Sequence, residues 1–212
     1  MLPRPLHDAA SALDGLPGIG PRAALRYAYW LAGQPREAVL KFARAIESLA
    51  SNVKACDTCG AWSDADGCPI CLDPKREDGS LCVVATSQDI RVIDESGAFH
   101  GKFHVLGGLL DPIEGRTPET LNIRKLLLRL QRPDNKITEI ILALDPDVAG
   151  DTTAMYLIKQ LTYGRSAGTP LPGAPSPLHD LTITRLARGL QNGAQIEYAD
   201  GVTIADALKN RR

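Results

Sequence analysis

The chain is predicted to be an α+β protein of several small domains. A helical domain comes first, then a compact four-cysteine module, then an α/β domain with a mostly parallel sheet, and finally a short C-terminal segment. Three observations predict this. Apolar residues recur at steps of three and four from residue 7 to 52. Four of the five cysteines crowd into positions 56–71. From residue 80 onward, short apolar runs rich in β-branched residues alternate with helical patterns, which is how a parallel sheet covered on both faces is written.

The helical domain is expected over 1–54. A first helix is read over 7–16. A second runs Pro21–Ala32, where Pro21 suits a first helical position because its missing N–H would be unpaired there anyway. Ala24, Tyr27, Ala28 and Leu31 share one face. The third helix follows Pro35 over Arg36–Asn52, with Val39, Phe42, Ala43, Ile46 and Leu49 in register. Between the first two helices stands Leu16-Pro-Gly18-Ile-Gly20. Two glycines around one apolar residue allow a tight turn whose N–H groups point outward together, ahead of a helix N-terminus. Such a turn can hold a phosphate oxygen without reading bases. Arg22 and Arg26, four apart, extend that face. The plainer reading is a glycine turn in an αα-hairpin with two solvated arginines.

The module at 55–78 lacks periodicity. Cys56-x2-Cys59 and Cys68-x2-Cys71 form two knuckles separated by eight residues, with Gly60 after the first and a polar loop carrying Asp64, Asp66 and Gly67 between them. Four thiolates at this spacing suit one tetrahedral, structural zinc, which would supply much of the folding energy of so small a module. Free structural thiols are the alternative. Cys82 lies in a strand and is read as a core thiol.

In the third domain, 79–178, strands are expected at 81–85, 90–93, 103–106 and 137–144, and helices at 121–130 and 152–163. The segment 164–178, rich in Gly, Pro and Ser, is read as a loop. The last domain, 179–212, should hold strands at 182–187 and 195–198 and a helix at 203–210. The strand at 137–144 ends in Asp145-Pro-Asp147-Val-Ala-Gly150-Asp151. Carboxylates at the carboxyl end of a parallel strand sit where such sheets place ligands, and can hold Mg²⁺ through oxygen. Turn-capping aspartates without metal are the competing reading.

The formal net charge of −1 does not announce a nucleic-acid binder, but its distribution is uneven. Residues 1–54 hold seven Lys/Arg against four Asp/Glu, and 165–212 hold six against four. The stretch 55–82 holds two against six, and 83–164 nine against eleven. The basic N-terminal segment is therefore the better phosphate contact. No apolar run approaches the roughly 20 residues of a membrane helix. The first residues, with Asp8 and Asp14, do not form a signal peptide, so a cytoplasmic location is expected.

Taken in order, the stretches LPGIGPRAALRYAYWL (16–31), the four cysteines, LCVV (81–84) with Asp89, FHVLGGLLDPIEGRTPE (103–119), ITEIILALDPDVAGDTTAMYL (137–157) and RLARGLQNGAQIEYADGVTIADAL (185–208) resemble the RecR family of recombination mediators across nearly the whole chain. The resemblance implies a helix-hairpin-helix, a C4 zinc finger, a Toprim domain like that of primases and topoisomerases, and a C-terminal Walker-B-like segment. It further implies a non-enzymatic clamp for single- and double-stranded DNA in recombinational repair. Protomers of that family join as a dimer of dimers into a tetrameric ring, and act with RecO and RecF to load recombinase. By position, Cys56, Cys59, Cys68 and Cys71 would be zinc ligands, and Gly18, Gly20, Arg22 and Arg26 DNA contacts. Asp89, Asp145, Asp147 and Asp151 would be the Toprim acids, a candidate Mg²⁺ site. Glu197 and Asp200 would lie on the Walker-B-like strand; no phosphate-binding GxxxxGK[ST] loop accompanies them.

The chain departs from the family's pattern in four places. Its first Toprim strand ends in Ala85 rather than Glu, and Ala149 stands where a RecO-contacting Glu is usual. Residues 191–194 replace a PVGG stretch, and 164–178 is longer and richer in proline. An alanine cannot carry a proton, so Ala85 argues against the rival reading of an Mg²⁺-dependent Toprim nuclease or primase-like enzyme. A zinc-stabilised scaffold that never touches DNA is the third reading.

Overall fold

A computed structural model describes residues 2–64, 68–163 and 181–211. The expected loop at 164–178 and the loop residues Asp66 and Gly67 lie outside the described residues. Two compact units divide the chain, Met1–Val53 and Lys54–Arg212.

The first unit is three helices: α1 (Arg4–Asp14), α2 (Pro21–Ala32) and α3 (Arg36–Asn52). Helix α1 starts three residues earlier than its periodicity suggested, because Pro5 falls in the first turn, where a missing N–H costs nothing. Ala24 and Ala28 are the buried positions of α2, small enough for α1 and α2 to approach closely. The link is a β-turn in which Ile19 N donates to the Leu16 carbonyl at 3.1 Å. Pro17 occupies its second position and Gly18, at φ 77°, its third, a left-handed conformation that glycine alone adopts freely.

The second unit begins with a small antiparallel pair, β1 (Lys54–Ala55) and β2 (Trp62–Ser63), and a short helix α4 (Pro69–Leu72). A four-stranded sheet follows, built from β3 (Glu77–Val84), β4 (Gly101–Val105), β5 (Glu139–Ala143) and β6 (Thr182–Arg185). Its order is β4-β3-β5-β6 and every pairing is parallel. The intervening helices are α5 (Ser87–Glu95), α6 (Ile123–Leu130) and α7 (Val148–Tyr163); α8 (Gly201–Lys209) closes the chain.

Alternation along β3 sorts the core. Leu81 and Val83 point to one face, where Leu126 and Leu130 of α6 and Leu157 and Leu161 of α7 pack with Ile140 and Leu142 of β5. Cys82 and Val84 point to the other, against Ile90 of α5, Phe103 and Val105 of β4, and the cysteine module through Cys59 and Cys68. Burial pushes the Cys82 thiol up to about 12, so it stays protonated and behaves as an apolar core residue. His104 of β4 is fully buried, and that burial drives its pKa down to about 4. The imidazole is neutral, and its Nε2 donates to the Asn122 carbonyl at 3.0 Å, since a carbonyl can only accept.

Two expected strands are corrected. Residues 90–93 belong to helix α5. Asp89 reaches back to accept from Thr86 N at 2.7 Å, and Ile90 and Ile93, three apart, pack inward while Val92 faces solvent. A capping box and a helical period outweigh the β-branched composition. Residues 195–198 are not a strand but a 3-10 turn, Ile196–Tyr198, with both Ile196 and Tyr198 exposed. Among the described residues it pairs with no strand.

Gly150, in the first turn of α7, lies against the end of β5: a Cβ added there would run into the Asp145 carbonyl oxygen. Gly150→Ala should therefore lower stability by about 1–3 kcal/mol by displacing backbone. Leu126→Ala, a truncation at a fully buried site, should cost about 3 kcal/mol. Urea unfolding of the two variants checks both; a Gly150→Ala midpoint equal to wild type would contradict the close approach of α7 to β5.

Candidate functional site

The four cysteines come together. Their Sγ atoms lie within 4.8 Å of one another, with Cys59–Cys68 at 3.4 Å and Cys56–Cys71 at 4.0 Å. Sulfurs of a tetrahedral site with bonds of about 2.3 Å stand about 3.8 Å apart, so the set fits one structural zinc. Two backbone devices hold the first knuckle: Gly60 N donates to the Cys56 carbonyl and Cys56 N to the Ala61 carbonyl, each at 2.8 Å. The knuckle is then fastened to the sheet, where Val105 N donates to the Cys59 carbonyl at 2.7 Å. Gly60 has φ 76°, and a Cβ there would lie 2.6 Å from the Val105 carbonyl oxygen, so no other residue fits. The second knuckle rides on α4, with Leu72 N donating to the Cys68 carbonyl at 3.0 Å.

The thiols have split acidities. Against the opposing effect of burial, the backbone amides of Cys59 and Thr58 bring Cys56 down to about 7. Contact with Cys71, followed by burial, raises Cys59; burial, followed by the backbone at Cys71 in opposition, leaves Cys68 raised as well. Thiols this crowded cannot all ionise unless a cation lies among them.

At the hairpin, Gly20 is the N-cap of α2 and, lacking a side chain, caps nothing. The first-turn N–H groups of α2 therefore face outward without a side-chain acceptor. Arg22 and Arg26 are exposed beside them, and the Arg26 guanidinium lies 5.3 Å from the Tyr27 ring centroid. The turn, helix start and cations form one positive surface.

The acidic turn is differently arranged. Asp145 and Asp147 are exposed past the end of β5. The Asp147 carboxylate accepts from Gly150 N at 2.7 Å, starting α7 as a cap. Asp89 is occupied with Thr86. Asp151 is gripped by two guanidinia, Arg185 at 2.5 Å and Arg188 through Nη1 and Nη2. The Arg188 contact, then that of Arg185, holds its carboxyl below the usual carboxylate range. Among the described residues the cysteines are the group able to enclose a metal ion; the four aspartates form no comparable cluster. Strand β3 ends at Val84 and Ala85 follows it, its carbonyl accepting from Gly107 N at 2.9 Å.

In the C-terminal segment, Glu197 sits on the exposed 3-10 turn, and Asp200 is a helix cap rather than a strand-end acid. Its carboxylate accepts from Val202 N and Thr203 N at 2.9 Å each and from Thr203 Oγ1 at 2.7 Å. A cavity of about 1020 Å³ lies here, bordered by Leu144, Pro146, Arg185, Arg188, Tyr198 and Asp206. Sequence reasoning missed Arg185 and Arg188. Their partner Asp151 is 34 and 37 positions away, and only the pairing of β6 with β5 brings them together.

Comparison with known proteins agrees with this layout. Family models match residues 6–50 (RecR, helix-hairpin-helix), 79–168 (Toprim domain) and 193–212 (RecR, C-terminal). The chain is 42% identical over 199 residues to the Recombination protein RecR of Parasynechococcus marenigrum (strain WH8102), covering 94% of each chain. It is 38% identical over 214 residues to that of Mycobacterium sp. (strain KMS), covering 100% of this chain and 98% of the other. With that of Pelotomaculum thermopropionicum it shares 40% over 209 residues, 99% of this chain and 96% of the other. Matched along its whole length, the chain belongs to the RecR family of recombination proteins.

Proposed function

We propose that the chain is a non-enzymatic, sequence-independent DNA clamp of recombinational repair. Cys56, Cys59, Cys68 and Cys71 hold one structural zinc per chain. Gly18, Gly20, Arg22 and Arg26 receive DNA phosphates. Copies assemble as a dimer of dimers into a ring, which works with RecO and RecF to load recombinase on single strands. The observation that carries the DNA reading is the hairpin surface: an uncapped helix start, a glycine turn and two exposed arginines. Such a surface contacts the backbone and carries no base information. Retention of the purified protein on closed circular DNA, with release on linearisation, tests the clamp; a monomer that slides off both forms would refute it.

The enzyme reading is less well supported by the same residues. A Toprim enzyme needs a proton-carrying group at the end of its first strand, and Ala85 has none. Asp89, Asp147 and Asp151 are engaged with Thr86 N, Gly150 N and two arginines respectively.

Three outcomes are expected. Freshly purified protein should contain one zinc per chain. Cys59→Ser should unfold at lower temperature with its DNA affinity at low temperature little changed; well under one zinc per chain by elemental analysis would defeat the assignment.

Arg22→Ala with Arg26→Ala should weaken DNA binding equally for all sequences. The salt slope should fall by about one for each phosphate that the hairpin no longer neutralises. Fluorescence titration across a range of salt reads this, and an unchanged slope would place DNA elsewhere.

Asp145→Asn with Asp147→Asn should leave DNA binding intact or slightly stronger, because two like charges are removed. The amide that replaces the Asp147 carboxylate keeps an oxygen to accept from Gly150 N, so α7 should start normally. Wild-type protein that cut DNA with Mg²⁺, alongside a double variant that did not, would replace the clamp reading with the enzyme.

A further inference from the structure

The acidic turn lies at the carboxyl ends of the parallel strands. At their opposite ends, where β3, β4 and β5 begin, a cleft of about 340 Å³ opens. Four cations line it, Lys102, Arg129, Arg132 and Lys136, with two carboxylates, Asp78 and Asp134. Asp78 is shared: Lys102 lies 2.5 Å from it and Lys136 3.7 Å. Arg132 pairs with Asp134 through two hydrogen bonds, at 3.1 and 3.2 Å, with both side chains exposed. Arg129 has no carboxylate partner among the described residues. It is nevertheless held in place, because its Nη1 donates to the Phe103 carbonyl at 2.8 Å.

Glu77 and Glu139 stand at the first residues of β3 and β5, and Asp57 precedes Thr58, but none of these three acids lines the cleft. Residues 121–133 contain Arg124, Lys125, Arg129 and Arg132 and no Asp or Glu. His104, on the adjoining strand, is buried and neutral, and adds neither charge nor countercharge. Cations outnumber carboxylates by two in a concave site with protein walls, which focuses the positive potential. A half-buried guanidinium with one edge anchored and the other free is well suited to a phosphate, which it can meet with two parallel hydrogen bonds.

We propose that this cleft is a second phosphate site, which takes a backbone phosphate of nucleic acid outside the helical hairpin, with Arg129 and Lys136 as its main cations. The inference rests on the DNA-binding reading above and deepens it. The cleft's size, at the low end for small-molecule sites, suits a phosphate with its sugar and leaves no groove for reading bases. Binding here is sequence-independent, as at the hairpin.

The test uses the full-length protein and a fluorescent oligothymidylate titrated at several salt concentrations. Arg132→Gln with Lys136→Gln changes two exposed side chains and should leave folding untouched. It should reduce the salt slope by about one and lower-salt affinity by about tenfold. Arg129→Gln should weaken binding further; its thermal unfolding, read in parallel, separates a charge effect from damage to the Phe103 anchor. An unchanged slope in the exposed double variant, with a reduced slope in the hairpin variant, would overturn this inference alone. Wild-type protein without salt-dependent binding would overturn the DNA reading and this site with it.

Discussion

Everything in the second unit is arranged around one strand buried on both faces. Strand β3 is paired in parallel with β4 on one side and β5 on the other, and Leu81, Cys82, Val83 and Val84 are all buried. A parallel strand cannot be reached by a tight hairpin; each neighbour arrives through a crossover, and the crossovers cover the faces. Helices α6 and α7 take one face. On the other face α5 covers only part, and the cysteine module fills the rest with Cys59, Ala61 and Cys68. The module is thus a lid on the core as well as a metal-ligand set, and the Val105–Cys59 backbone bond ties its geometry to β4.

That arrangement explains which parts of the molecule were legible in the sequence. Local signals carried far: Pro-Gly in the hairpin turn, the CxxC pairs, and the helical periods of α2 and α3 all act within a few residues, and each appears where expected. The apolar runs of β3, β4 and β5 were visible because a doubly covered strand must be apolar throughout. Composition misled where it competed with capping. Residues 90–93 are apolar and β-branched, yet Thr86 and Asp89 start a helix ahead of them. Residues 195–198 carry β-formers, but no strand edge is available to them among the described residues. The Arg185 and Arg188 pair with Asp151 was invisible for another reason: it exists only because β6 lands beside β5.

The acidic turn shows how a site can keep its shape while its groups take other work. Gly150 is needed so that α7 can start against the end of β5, and Asp147 is needed to cap it. Both positions are therefore held by folding, whatever chemistry occurs there. Asp151 is neutralised from within the chain. Its depressed pKa means the ion pair is present at neutral pH and is lost as acid protonates it, so its contribution disappears on going below the ordinary carboxylate range. Arg188 also feels Asp206 and Asp147, and its carbonyl accepts from Asn210, which makes it the point where α7 and α8 are joined. Through Asp151, Arg185 and Arg188 the start of α7 is tied to β6 and the segment that follows it.

A net charge near zero is then no obstacle to contact with a polyanion. Interaction with DNA at physiological salt is governed by charge within about 8 Å, not by the total over the molecule. This chain spends its carboxylates on caps and ion pairs: Asp89, Asp147 and Asp200 each accept from a helix start, while Asp78, Asp94 and Asp151 are bonded to Lys or Arg. Arg22, Arg26 and Arg129, by contrast, have no carboxylate partner among the described residues. Because phosphate attraction depends on unpaired cations, a near-neutral composition is compatible with the two phosphate surfaces proposed, one on the helical hairpin and one at the amino ends of the sheet strands. Phosphate contacts of this kind are made to the backbone and carry no base information.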